Sequence, residues 1–362
     1  MPQHSWSEYI RDVQASRRGD PLAIFLRAVL RVASWGYAGV VACRNLAYSA
    51  GWKRIHRSML PVISIGNLTT GGTGKTPTAA WIAQWFRARG IRVCLLSRGY
   101  GAAAGQMNDE ALVLEQLCPD VPHLQSPNRV EMARVAHEEL DSQLLLLDDA
   151  FQHRRLHRDL DIVLIDALDP WGGDALLPRG LLREPKRNLK RAGLVLITRV
   201  DQVSAATLEI LRQQIAHLVQ GIPIVEVAFA ATNLINAAGE TLPLESVHGQ
   251  TVAAFCGLGH PEAFQKTLGQ LGTVVGAFRT FPDHHPYTRE DVDDLTAWAA
   301  STSAMHVLTS QKDLVKLQLE RLGHIPLWAV QISLRVVSNG PALETALEQI
   351  ALRVSRDEET AG

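Results

Sequence analysis

From Val62 onward, short continuous apolar runs alternate with longer stretches of helical periodicity. The runs Val62–Ile65, Arg92–Leu96, Leu144–Leu147, Ile162–Ile165 and Leu194–Ile197 lack the in–out alternation of a strand with one wet face. Continuous runs of this length predict parallel strands buried on both faces. Between them, Thr78–Arg89 and Val130–Leu140 repeat apolar residues at helix spacing. Strand and helix in alternation predict a three-layer α/β fold. Right-handed crossovers then bring the C-terminal ends of the strands to one edge, where ligands bind.

A second alternating series follows Gly221-Ile-Pro and includes Ile224–Phe229, Val252–Cys256, Val274–Thr280, Met305–Thr309 and Leu327–Ile332. It reads as a smaller α/β domain beyond a hinge near residues 220–235. The expected division is therefore an N-terminal segment (1–57), a first domain (58–222), a second domain (223–354) and a polar tail (355–362). Leu22 to Trp52 is apolar and helix-like, interrupted by Arg27, Arg31 and Arg44. Its longest uncharged run, between Arg31 and Arg44, is short of the roughly 20 apolar residues that cross a bilayer. Trp35, Tyr37, Tyr48 and Trp52 beside the arginines suit a membrane interface; a helical pair packed on the domain suits the same pattern.

Composition narrows the class. At 46% hydrophobic and 20% charged, the 362-residue chain builds real cores and is not disordered. The four scattered cysteines form no C-x-x-C pair, which argues against a zinc site or disulfide framework and fits a reducing compartment. The first residues are polar and include acids, unlike a secretory signal. The net charge of −1 hides an asymmetry: Pro21 to Asn108 holds eleven Lys and Arg and no acid, so the remainder carries −12. Anionic partners are expected on the basic side. Nucleic acid is not among them, because no aromatic-rich RNA motif or recognition-helix pattern accompanies the charge.

The first strand runs into Thr69-Thr70-Gly71-Gly72-Thr73-Gly74-Lys75-Thr76 and then a helix. Such a turn cradles nucleotide phosphates: the glycines allow a tight backbone, Lys75 supplies a cation and the Thr76 hydroxyl can hold Mg²⁺. Thr69 stands where the strict motif has its first glycine. The strand Leu144–Leu147 ends in Asp148 and Asp149, the placement of a metal-directed carboxylate beside a phosphate loop. Together these make the first domain a P-loop kinase-type parallel sheet. Thr198-Arg-Val-Asp201 only faintly matches a guanine-reading pattern.

Several ordered segments resemble the tetraacyldisaccharide 4′-kinases of lipid A synthesis: IGNLTTGGTGKTP, SRGYG (Ser97–Gly101), NDEA (Asn108–Ala111), DDAFQHRRL (Asp148–Leu156), LLPRGLLREP (Leu176–Pro185), FCGLGHPEAF (Phe255–Phe264), PDHHPY (Pro282–Tyr287) and TSQKDLVKL (Thr309–Leu317). The resemblance implies ATP and Mg²⁺ as cofactors and the 4′-hydroxyl of an acylated disaccharide 1-phosphate as acceptor. It also implies work at the cytoplasmic face of the inner membrane, and the chain is expected to act as a monomer.

The resemblance gives residues roles. Thr69 to Thr76 would bind the nucleotide, and Thr76, Glu110 and Asp149 would surround Mg²⁺. Asp109 would be the base for the sugar hydroxyl and His284, across the domains, its partner; Lys75 completes the catalytic set. Tyr100, Arg129, Gln152, His153 and Glu184 would line the sugar-phosphate side, with Arg183 added from local charge. His285 is the weaker candidate of the histidine pair, and Arg154-Arg155 reads as a solvated basic turn. Asn108, Ala150 and Gln311 depart from the family pattern, as does Ala102, which stands where an arginine usually follows SRGYG. A rival reading is a P-loop ATPase acting as a membrane-associated switch or metallochaperone. Those proteins carry a lysine before the paired glycines, where this chain has Thr70, and do not account for the SRGYG, LREP and DHH segments.

Overall fold

All five apolar runs of the first series are strands in the computed structural model, which describes residues 6–14, 17–99 and 108–361. Helices α1 (Trp6–Gln14) and α2 (Pro21–Ser49) come first. Then follow β1 (Val62–Asn67), α3 (Lys75–Arg87), β2 (Val93–Ser97), α4 (Asp109–Leu117), β3 (His123–Gln125), α5 (Arg129–Glu138), β4 (Leu144–Leu147), β5 (Leu160–Asp166), β6 (Leu194–Thr198) and α6 (Ala205–Leu218). The strands lie in the order β6-β5-β1-β4-β2-β3, all parallel. Alternate residues face opposite layers. Ile63, Ile65, Leu144 and Leu146 meet Ala79, Ile82 and Phe86 of α3, while Leu145, Leu147 and Leu96 meet Ala133 and Ala136 of α5. Burial on both faces is why these strands read as unbroken apolar runs. The short edge strand β3 gives no such signal.

The second series supplies β7 (Ile224–Ile235), β8 (Thr241–Leu242), β9 (Thr251–Cys256), α7 (Pro261–Gln270), β10 (Val274–Thr280), α8 (Arg289–Ala300), β11 (His306–Ser310), α9 (Gln311–Leu317), β12 (Arg321–Leu322), β13 (Ile325–Ser338) and α10 (Gly340–Ala361). Here the order is β10-β9-β11-β13, again parallel. The two sets are continuous. β7 lies parallel to β6 and antiparallel to β13, in a ladder from Ile235↔Ala329 to Glu226↔Ser338. Among the described residues this makes one 13-stranded, mostly parallel sheet. Helix α10 returns to the first half, where Leu343, Leu347, Ile350 and Val354 join the core around Ile63 and Phe86.

The apolar N-terminal stretch is one helix of 29 residues, not a pair. Asp20 caps it by accepting from Ala23 N at 3.0 Å, and Pro21 opens the first turn. Only Ala23, Ser34 and Val41 are buried, and Phe25, Val32, Trp35 and Val40 are each more than 60% exposed or close to it, at 63%, 60%, 67% and 69%. By length and composition the whole helix could cross a membrane, although its uncharged run could not. Its inner edge is fixed by polar bonds. Ser34 Oγ donates to Leu176 O (2.8 Å), Tyr37 Oη to Arg183 O (3.0 Å) and Arg44 Nη2 to Glu184 Oε1 (2.7 Å).

Candidate active site

The loop from Thr69 to Gly74 joins β1 to α3. Gly71 and Gly74 take φ of +113° and +89°, which favour glycine. Gly74 is required for a second reason: a Cβ there would lie 2.2 Å from Cζ of Phe229 on β7. The loop is held from behind. Thr70 N donates to Leu181 O (2.8 Å), Asn67 Nδ2 to Thr73 Oγ1 (3.1 Å), Thr198 Oγ1 to Thr73 O (3.1 Å) and Arg199 Nη2 to Gly72 O (2.7 Å). Arg199 also pairs with Asp166. Helix α3 has no side-chain cap at its N-terminus, so its first amides and positive dipole end are available to an anion. Thr76 is buried there and Lys75 is mostly so.

A cleft opens in front of the loop, with Gly72 to Pro77 on one side and Glu110, Phe229, His260, Asp283 and Lys312 among its other walls. Its walls thus come from both halves of the sheet. Behind it, the turn after β4 comes close to β1: a Cβ on Gly66 would lie 2.7 Å from Phe151 Cβ. That approach sets Asp148 and Asp149 beside the loop.

The acids differ in their surroundings. Asp148 is buried, which raises its carboxyl to about 7; Glu110 and Asp149 push it the same way, against Lys75 and Arg129. Burial would also raise Asp149, but the charges of Lys75 and Arg183 outweigh it and hold that carboxyl well below the usual range. Arg183 forks onto both Asp149 oxygens at 2.7 and 2.8 Å, and Lys75 Nζ lies 3.8 Å away. Glu110 and Asp149 act on Asp148 through their charge, but among the described residues no three acids or histidines are gathered closely enough to hold a metal ion by themselves. Hard oxygen donors from Thr76, Glu110 and Asp149 suit Mg²⁺.

Asp109 and Glu110 open α4, where Asn108 accepts from Ala111 N at 3.0 Å and acids suit the helix dipole. Asp109 Oδ2 lies 2.9 Å from Nδ1 of His284, a residue at φ +59° between β10 and α8. Burial alone would raise Asp109, but the hydrogen bond and charge of His284 lower it to about 2; in return, the bond from Asp109 raises His284. Two lysines of α9 face the same acids, Lys316 Nζ at 3.8 Å from Asp109 and Lys312 Nζ at 3.4 Å from Glu110. His285 turns away. It bonds Asp291 at 3.1 Å and stacks on Phe281.

The residues expected around the sugar are mostly engaged with the protein. Arg129 is buried and donates to Asp148 O at 2.7 Å. Gln152 Nε2 donates to Asn67 O at 2.8 Å. His153 is half-buried, and burial followed by the neighbouring arginines lowers it to about 4. Glu184 is 0% exposed and accepts from Arg44, Arg191 and Asn188. Tyr100 and Ala102 lie outside the described residues. Arg154 is not the solvated turn expected: it reaches α2, donating to Asn45 O at 2.9 Å. Sequence reasoning missed Arg44, Arg199, Phe229, Lys312 and Lys316. The two lysines lie in the segment TSQKDLVKL, where their charge was the available signal.

The phosphate loop and strand-tip acids place the chain in the P-loop class of nucleotide-binding proteins. The chain belongs to the tetraacyldisaccharide-1-P 4′-kinase (LpxK) family, whose model matches residues 26–352. It is 39% identical over 349 residues to a tetraacyldisaccharide 4′-kinase of Anaeromyxobacter dehalogenans strain 2CP-C, covering 91% of this chain and 92% of that one. Against the Geobacter metallireducens enzyme of the same name, identity is 37%, with 91% and 99% covered. The crystal structure of LpxK from Aquifex aeolicus in complex with ATP superposes with a TM-score of 0.72 at 30% identity, covering 90% of this chain and 99% of that one. The rival reading as a switch or metallochaperone is not favoured by these matches.

Proposed function

We propose that this chain transfers the γ-phosphoryl group of ATP to the 4′-hydroxyl of a tetraacyldisaccharide 1-phosphate in lipid A biosynthesis. The observation that carries the reading is the Asp109–His284 pair, 2.9 Å apart and next in sequence to Glu110 and Asp283, which line the cleft in front of the phosphate loop, in a chain of this family. ATP supplies the phosphoryl group, and Mg²⁺, when bound, would neutralise phosphate charge. Lys75 and the loop amides would hold the phosphates; Thr76, Glu110 and Asp149 would hold the metal. The acceptor oxygen bonds to the γ-phosphorus as the bond to the bridging oxygen breaks, and ADP leaves with that electron pair. Asp109 takes the hydroxyl proton, and the bonded imidazole of His284 shares it.

Arg129, Gln152, His153, Glu184 and Tyr100 border the sugar-phosphate side. For Arg129 and Glu184 the support is indirect: Arg129 shapes the Asp148–Asp149 turn, and Glu184 fixes Arg44 and Arg191 at its edge. The exposed apolar face of α2 rests in the cytoplasmic leaflet of the inner membrane, where acyl chains of the substrate lie. The enzyme works as a monomer of two working parts, residues 58–222 joined by the returning helix α10, and the stretch of 223–354 that lies between them.

The test is an assay with ATP, Mg²⁺ and the disaccharide 1-phosphate in mixed micelles, with the position of the new phosphate assigned by NMR. A 4′-phosphorylated product is expected. ATP hydrolysis without phosphorylated lipid, in every detergent and lipid mixture tried, would sink the reading.

A further inference from the structure

Lys312 stands on α9, in the half of the sheet opposite the phosphate loop, yet it lines the same cleft as Gly72 to Thr76. Its ammonium group is 3.4 Å from Glu110 Oε1, and the side chain is 19% exposed. A lysine so placed is a cation delivered to the cleft from across the sheet. Its one hydrogen-bonded acceptor among the described side chains is Glu110, a residue with a second claimant.

We propose that Lys312 is a further catalytic residue, which leaves Glu110 when Mg²⁺ is bound and donates to the terminal phosphate of ATP. This rests on the reading of the chain as an ATP-dependent kinase. A metal drawing on Glu110 would weaken its hold on the ammonium group, which already lines the cleft in front of the phosphate loop and could then turn to a phosphate bound there. There it neutralises charge that grows on the departing bridging oxygen and the transferring group. Lys75 acts from the loop side and Lys312 from the opposite wall. The second half thus contributes a cation as well as His284, the one facing Glu110 and the other Asp109 at the start of α4.

The experiment compares Lys312→Met and Lys312→Arg with the unaltered enzyme. Lys312→Met is expected to lower kcat about 100-fold or more, the scale for removing one preorganised donor. The KM for the lipid should change less than threefold, and Lys312→Arg should recover part of kcat. Calorimetry with Mg²⁺ and either AMP-PNP or ADP gives a readout apart from turnover. Met should weaken AMP-PNP binding more than ADP binding, since only the former has the γ-group. A kcat within threefold of the parent, with an unchanged preference between the two nucleotides, overturns the proposal.

If Lys312→Met does not fold, the unaltered chain still decides. Reductive methylation of Lys312, followed by mass spectrometry, should be slower with Mg²⁺·AMP-PNP than with Mg²⁺·ADP. Equal rates overturn the proposal. Failure of the unaltered enzyme to phosphorylate the lipid would count against the kinase reading alone, because the binding and labelling comparisons need no acceptor.

Discussion

Asp109 and His284 are 175 positions apart in sequence, come from the first and second halves of the sheet and share a 2.9 Å hydrogen bond. The bond raises His284 above its ordinary value near 6.5. For proton acceptance the pair must be Asp109 carboxylate with neutral imidazole, so activity should climb as pH rises above 6.5 through the raised value. In Asp109→Asn the amide can still bond the imidazole but cannot take a proton, and turnover should fall by about 10²- to 10⁴-fold, the usual scale for a positioned base. His284→Gln should lose the acidic limb of the pH–kcat/KM profile as well as rate. An unshifted acidic limb in that variant would remove His284 from the role.

Glu184 tests structure against substrate contact. It is fully buried between Arg44 of α2 and Arg191. Glu184→Ala leaves both guanidinium groups beside an empty site, so stability should drop by about 3 to 5 kcal/mol, the range for removing one partner of a buried ion pair. Thermal unfolding should show this without any lipid present. A variant of parental Tm but raised lipid KM would mean that the carboxylate meets substrate directly.

Gly66→Ala is expected to destabilise through overpacking against Phe151, whose Cβ and N lie only 2.7 Å from the added carbon. The cost should be about 1 to 3 kcal/mol by urea unfolding. Because the same contact holds Asp148 and Asp149 beside β1, Mg²⁺·ATP affinity should fall with it, while Gly36→Ala on α2, where a Cβ meets nothing within 4 Å, serves as a neutral control.

The outer face of α2 can be tested by charge. Trp35→Asp combined with Val40→Asp places two acids on side chains 67% and 69% exposed, away from Ser34 and Val41. Folding should be unaffected, since neither side chain packs inward. Flotation with vesicles containing anionic lipid should be lost or cut several-fold if the face lies in a bilayer. Flotation equal to that of the parent would show that α2 does not carry membrane binding.

Much of this architecture was legible because parallel strands write unbroken apolar runs. Val62–Ile65 and Leu144–Leu147 became β1 and β4 because both faces of each are covered, and the glycine loop and strand-tip acids followed from their ends. Asp109 and His284 came from resemblance, since two residues so far apart leave no local pattern. β3 was invisible because His123–Gln125 is only three residues long and partly exposed. Partners of the site that depend on tertiary approach were also hidden. Nothing near Arg44 or Lys312 tells which distant acid each will meet. The placement of α10 was hidden for the same reason: amphipathic spacing in Leu343, Leu347 and Ile350 signals a buried face but not which core receives it.

The pairing of Glu226 with Ser338 bears on how the chain is threaded. The chain leaves the first half along β7, builds the second half, and comes back beside its own departure point before α10. Residues 227–337 are therefore inserted into a framework whose two cut ends are neighbours, about 5 Å apart across an antiparallel ladder. An insertion of that kind can be exchanged or reshaped between relatives without rethreading the nucleotide-binding core. That stretch carries His284 and Lys312 but none of the residues assigned to the sugar-phosphate side, so one contiguous piece of gene could retune the far wall of the cleft while the acceptor side stays as it is.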